Sequence, residues 1–250
     1  MSAGEKLNNA TIKDESDFTL SSLIAAGHEL KSPLALIRQI SLVLRDDSLV
    51  SSEKERSKLL EHITLTSERS LRLVDMLTRY ARLEDALFQI EPVNAVHICE
   101  KVADGLWPLS QAAQRSIVIT APRKQPVVVA NRDLLEAIIF GLCDNSFAYA
   151  TSSEPIELSV GSYRGRVRVS VRDHGPAIPT NVFQKMQQRL GKTVQPMSER
   201  PQSSGLGLYV AGRFAQAMQG QLGAIRHRLA GVTFYVDVPA SAQLSLLSHD

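Results

Sequence analysis

Leu20–Leu44 reads LSSLIAAGHELKSPLALIRQISLVL, and its spacing decides the first half of the fold. Small or apolar residues recur at Leu20, Leu23, Gly27, Leu30, Leu34, Ile37, Ser41 and Leu44, in alternating steps of three and four. Such a rhythm is the seam of a helix packed against other helices. Asp46, Asp47 and Ser48 interrupt it, and a second seam follows the charged stretch Glu53–Lys58 through Ile63, Thr66, Ser70, Leu73, Leu77 and Tyr80. Two long helices with a short polar connection make an antiparallel helical hairpin. A lone hairpin has little core, so the expectation is a dimeric four-helix bundle that buries both seams.

Toward the N-terminus, residues 1–16 are polar and mixed in charge, which predicts a solvated leader and not a secretory signal. Beyond about Pro92 the texture changes. A helical pattern over Ala95–Gln114 precedes short β-like runs at Ser116–Thr120 and Val127–Val129, and Asn131 or Asp133 can cap a helix through Ala150. Ile156–Gly161 and Val167–Arg172 alternate apolar and polar residues, as half-buried strands do. Pro179–Ser204 reads as a long irregular segment, followed by a helix over Gly205–Met218 and strands near Leu222–Arg228 and Val232–Val238. Mixed strands with a few helices predict a two-layer α+β sandwich with helices on one face of the sheet. The domain reading is therefore leader 1–16, hairpin 17–90 and sandwich 91–250.

The bulk properties exclude some functions. The chain has 250 residues and a formal net charge of +2, without a basic run dense enough to track a nucleic-acid backbone. No stretch approaches the ~18–20 apolar residues of a membrane span. Cys99 and Cys143 fall in apolar helical patterns without metal-ligand spacing, the expectation for reduced core residues of a cytoplasmic protein.

Four constellations carry chemistry. His28-Glu29-Leu30-Lys31-Ser32-Pro33-Leu34 lies in the first helix. His28 there can act as a nucleophile with Glu29 taking its proton, and Ser32, four residues on, shares its helical face and can hold a water. Pro33 removes a backbone bond and predicts a bend. The apolar helix from Asp133 ends in Asp144-Asn145, where an amide oxygen can meet a hard cation such as Mg²⁺, and Tyr149 follows four residues later. Asp173-His174-Gly175-Pro176-Ala177 places a carboxylate where a strand runs into a loop, able to accept from an adenine amino group. Gly205-Leu206-Gly207-Leu208 opens a helix whose exposed N–H groups suit an anion.

Singly these are weak signals; in this order they resemble the sensor histidine kinases of two-component systems, over roughly residues 18 to 240. The His28 segment resembles the family's phospho-acceptor box, the helix ending at Asn145 its N box, Asp173-x-Gly175 its first glycine box, and Gly205-Leu-Gly-Leu its second. The segment between the glycine boxes matches the ATP lid in position. The resemblance implies a homodimer of hairpins joined to Bergerat-type ATP-binding sandwiches, with ATP and Mg²⁺ as cofactors. It implies that His28 takes the γ-phosphoryl group and passes it to a response-regulator receiver domain, with a separate sensor protein as an optional further partner. Glu29 matches the general base, and Ser32 stands where Thr or Asn usually supports phosphatase action. Asn145 matches the Mg²⁺ ligand, and Tyr149 a residue lining the nucleotide. Asp173 matches the adenine reader; Gly175, Ala177 and Gly205–Leu208 complete the nucleotide loops.

There are departures. Gly141 replaces an Asn usual four residues before Asn145, Ala148 replaces a phosphate-contacting Lys, Ala177 replaces a glycine of the first box, and Pro176 stiffens that loop. Phe183 alone suggests the lid's aromatic box. These changes predict weakened nucleotide binding. They motivate an alternative, a degenerate kinase acting as a dimeric adaptor or response-regulator phosphatase with weak or no ATP binding. A gyrase- or chaperone-type ATP hydrolase is disfavoured, because its catalytic Glu would stand at Gly141.

Overall fold

The computed structural model describes residues 26–83, 88–149, 153–192 and 205–241, which form two compact units, one built on 26–77 and the other within 78–192 and 207–241. The expected leader, Leu20 and Leu23 of the first seam, and residues 193–204 of the segment between the glycine boxes lie outside the described residues.

In the first unit, helix α1 (26–45) runs uninterrupted through Pro33. A 3₁₀ turn, Asp47–Leu49, is capped by Asp46, whose Oδ1 accepts from Ser48 N–H at 3.1 Å and Ser48 Oγ at 2.6 Å. Ser52 and Glu55 then start α2 (Glu53–Arg82): Ser52 Oγ accepts from Glu55 N–H at 3.2 Å, and the Glu55 carboxylate accepts from Ser51 N–H at 2.8 Å. This is close to a capping box. Arg56 donates to Leu44 O at 3.5 Å, bringing the start of α2 to the end of α1 as an antiparallel hairpin requires.

The second seam is as expected, with Ser70 buried and Ile63, Thr66, Leu73 and Leu77 half-buried. The first seam is shifted. Ala26 and Ile40 are buried and Leu30, Pro33, Ile37 and Leu44 half-buried, whereas Leu34 is 57% exposed and Ser41 is exposed. Among the described residues of this unit α2 is the only other long helix, so the inward stripe of α1 is narrower than the face a bundle would cover. Leu34, Leu36 and Leu42 on α1, with Leu60, Leu71 and Val74 on α2, remain as an outward apolar surface.

The second unit is the α+β sandwich. Its main sheet has the order β2-β4-β5-β7-β6, comprising β2 (Ile117–Thr120), β4 (Ile156–Tyr163), β5 (Arg166–Arg172), β6 (Gln221–Arg226) and β7 (Val232–Pro239). All neighbours are antiparallel except β2 with β4. A separate ribbon pairs β1 (Glu91–Asn94) with β3 (Val127–Ala130). Helices α3 (Ala95–Gly105) and α5 (Arg132–Tyr149) pack on the sheet and on each other; α4 (Trp107–Ala112) packs on α3, α6 (Thr180–Arg189) on β6, and α7 (Leu206–Ala217) leads into β6. Leu158, Val169, Val171 and Val236 from the sheet and Ile98, Leu135, Ile138, Ile139, Leu142 and Phe214 from the helices form the core, each 0–1% exposed. Burying each such side chain stabilises the fold by about 1.5–3 kcal/mol. Cys99 and Cys143 are free and fully buried in this layer. Burial pushes the Cys99 thiol up to about 12 and raises that of Cys143 as well, so both are inert core residues.

The sheet's other face is organised by polar stacking. The Arg168 guanidinium lies 3.6 Å from the ring centroids of both Tyr163 and Tyr235 and meets Asp237 through two bonds of 2.7 Å. Such a bidentate pair between stacked rings takes the place of apolar cover.

Three details differ from the sequence reading. The helix expected over Ala95–Gln114 breaks at Leu106, because Pro108 lacks the N–H that would bond back to Asp104. Pro92 sits inside β1, tolerated because this ribbon has only two strands. Thr180–Arg189, expected to be irregular, is helical: Pro179 precedes its first turn, and Phe183 and Met186, three residues apart, give it a buried stripe.

Candidate functional site

Asp173 follows β5 in register with Val167, Val169 and Val171, so its side chain points to the helix-covered face and is 4% exposed. A carboxylate there must be satisfied by the backbone. Its Oδ1 accepts from Gly175 N–H at 3.0 Å and from Val232 N–H at 3.2 Å. Asp173 N–H donates to Val232 O at 3.0 Å, and Gly231 N–H to Gly175 O at 2.8 Å. Arg226 donates to Ile178 O at 3.1 Å. The whole loop 173–178 is thereby stitched to the β6–β7 hairpin.

Gly231 makes this possible. Its φ is +76°, and a Cβ at this position would stand 1.8 Å from Asp173 O. Sequence reasoning missed Gly231, Val232 and Arg226, although the short gap between the last two strand patterns signals a hairpin turn. Gly175 is buried; Pro176 and Ala177 are exposed, and Ala177 does not have positive φ, so alanine suits this loop.

His227, beside this network, bonds Thr233 Oγ1 through Nε2 at 2.8 Å. Burial, and then the Arg172 charge, hold its imidazole below the ordinary histidine range. The folded state therefore prefers the neutral ring. The unfolded chain binds the proton more readily, so stability is full above the ordinary value near 6.5 and is lost as pH falls through the lower, folded value. The urea midpoint should drop more between about pH 7.5 and about pH 5.5 in the parent than in His227→Gln; equal drops would contradict this assignment.

α5 packs on β4 and β5. Asn131 caps it, Oδ1 accepting from Leu134 N–H at 3.0 Å. At its other end Asn145 is half-buried, Ser146 buried and Ala148 exposed. Tyr149 closes the helix, and its side chain lies outside the described residues. A Cβ on Gly141 meets nothing within 4 Å, so the space an asparagine would fill is open. At the start of α7, Gly205 has φ +76°, a conformation that suits glycine. Leu206 is fully buried and Leu208 half-buried, while a Cβ on Gly207 meets nothing within 4 Å. Glycine at 207 thus leaves the first turn of this 12-residue helix without a side chain at that position.

These residues fit Mg²⁺-ATP. Asp173 could accept from a donor, the α7 N-terminus would suit an anion, and Asn145 would offer one amide oxygen to a cation. Among the described residues no group of three or more His, Cys, Asp or Glu is arranged to hold a metal alone.

On α1, His28 and Ser32 are both exposed and Glu29 is half-buried, so an incoming group can reach the imidazole. No helix of the described residues is long and apolar enough to cross a membrane.

Residues 130–242 match the family model of the histidine kinase-, DNA gyrase B-, and HSP90-like ATPases. The chain is 24% identical over 225 residues to the sensor protein KdpD of Clostridium acetobutylicum, covering 87% of this chain and 24% of that one. It is 27% identical over 219 residues to the sensor protein CutS of Streptomyces coelicolor, covering 86% of this chain and 51% of that one. The fold is similar to full-length ShkA solved with AMPPNP, with TM-score 0.58 and 19% identity over 87% of this chain and 45% of ShkA. The chain thus spans about a quarter to a half of the curated relatives it matches.

Proposed function

We propose that this chain is an ATP-dependent protein histidine kinase core that phosphorylates itself on His28, because residues 130–242 match the family model of the histidine kinase-, DNA gyrase B-, and HSP90-like ATPases and the chain is similar to sensor proteins and to solved histidine kinases. The observation that carries the nucleotide half is Asp173: a buried carboxylate with one oxygen held by two backbone N–H groups and the other left to read a ligand.

In this reading Asp173 accepts from the adenine amino group, and Gly175 and Ala177 shape the adjoining loop. The N–H groups of Gly205, Leu206, Gly207 and Leu208 hold phosphate oxygens, Tyr149 flanks the nucleotide, and Asn145 ligates Mg²⁺. Bound Mg²⁺-ATP supplies the γ-phosphoryl group and the metal charge that neutralises its oxygens. The His28 imidazole attacks phosphorus as the bond to the ADP oxygen breaks, and Glu29 takes the ring proton. Ser32 orients water when the phosphoryl group is removed from the partner.

The outward apolar residues of α1 and α2 support a homodimer, since a second hairpin would cover them. The phosphoryl group passes to an aspartate of a response-regulator receiver domain in the cytoplasm.

Calorimetric titration with ATP tests the nucleotide half. Binding should require Mg²⁺ for full affinity and fall in the micromolar-to-millimolar range, weakened by the groups missing at Gly141 and Ala148, each worth about 1–3 kcal/mol. No heat at millimolar Mg²⁺-ATP would overturn the reading and leave a dimeric adaptor.

A further inference from the structure

His174 stands between the two residues that define the first glycine loop, on the opposite face of the sheet from Asp173. The alternation along β5 puts it with Arg168, Ser170 and Arg172, away from the helices. Its side chain is only 14% exposed, and each ring nitrogen meets a carboxylate: Nδ1 is 2.6 Å from Glu154 Oε2, and Nε2 is 2.9 Å from Glu157 Oε1. Glu157 is also 4.0 Å from Arg172, its cross-strand partner. An imidazole carrying both protons donates to both carboxylates at once; with one proton it keeps one of them.

We propose that His174 is a positioning residue for adenine recognition, clamping the end of β5 to β4 so that the adjacent Asp173 carboxylate holds its aim. Asp173 is fixed from one side by the β6–β7 hairpin, through Val232 and Gly231, which belongs to a neighbouring strand pair. Nothing in that stitching fixes the strand end against β4, whose pairing with β5 ends at Glu157–Arg172. The two bonds from His174 extend it by two residues. Adjacent residues on a strand point to opposite faces, so a shift at position 174 turns the backbone that carries Asp173.

This rests on the reading of Asp173 as the adenine contact. The test measures affinity for ATP and for inosine triphosphate, which has an oxo group where ATP has the 6-amino donor, on the full chain with Mg²⁺. His174→Ala should weaken ATP binding about tenfold and leave inosine triphosphate within about twofold, lowering the preference between them, with the second nucleotide serving as an internal control for folding. Glu154→Gln/Glu157→Gln, at exposed side chains that folding tolerates, should do the same. His174→Arg, which can donate to both carboxylates, should restore much of the preference. Equal losses for both nucleotides, or an unchanged preference in both variants, would overturn the proposal and leave His174 a stabilising contact. A parent chain indifferent between the nucleotides would instead remove the reading of Asp173, and this proposal with it.

Discussion

Asp173→Asn is expected to lower ATP affinity by roughly 30- to 1000-fold, the equivalent of about 2–4 kcal/mol, while leaving the domain folded. The separation follows from the two oxygens having different partners. Oδ1 already accepts from Gly175 and Val232 N–H, and the amide oxygen of asparagine can keep both bonds. Their loss of charge assistance costs stability only about 1 kcal/mol. The other oxygen becomes an NH₂ group, a donor aimed at the adenine amino donor, so an attraction is replaced by a repulsion. The same NH₂ suits an oxo group, so the preference should move toward inosine triphosphate. Calorimetry with both nucleotides, beside urea unfolding, checks this. Large losses in both affinity and stability would mean that Asp173 is structural.

Gly231→Ala is expected to destabilise the second unit by roughly 2–5 kcal/mol and weaken ATP binding tenfold or more. The added methyl would meet Asp173 O at 1.8 Å, Asp173 C at 2.8 Å and His174 Cα at 3.1 Å, all backbone, which cannot swing aside as a side chain can. Gly165 provides the control, because it shares φ +76° but has nothing within 4 Å of its Cβ. Gly165→Ala therefore carries the left-handed strain alone, about 1–2 kcal/mol, and should leave ATP binding unchanged. Thermal midpoints should separate by about 2–4 °C for each kcal/mol of difference. Equal effects of the two substitutions would show that the contact with Asp173 is unimportant.

Much of this architecture was legible in the sequence because periodicity and capping are local. The alternation in Val167–Arg172 gave β5, and Asn131 caps α5 as one of its two candidates. The α2 seam residues Ile63, Thr66, Ser70, Leu73, Leu77 and Tyr80 are all buried or half-buried. That of α1 was displaced, since Leu34 and Ser41 are apolar or small enough to fit a seam and only the partner helix decides which stripe faces inward. Helix α6 escaped because ten residues with two buried side chains carry little signal, and Pro179 reads equally as a turn or a helix start. The site divided the same way. Asp173 and the glycines of the second box were visible as motifs. The supports at Gly231, Val232 and Arg226 were not, because they come from a hairpin about sixty residues away and act mainly through backbone atoms.

The most direct test is incubation of the full chain with Mg²⁺ and γ-labelled ATP, followed by mapping of any acid-labile, base-stable phosphate. The account predicts label on a single peptide containing His28 and none in His28→Gln, with folding retained because that side chain is exposed. Nucleotide binding without label on His28, or label that persists in His28→Gln, would contradict it.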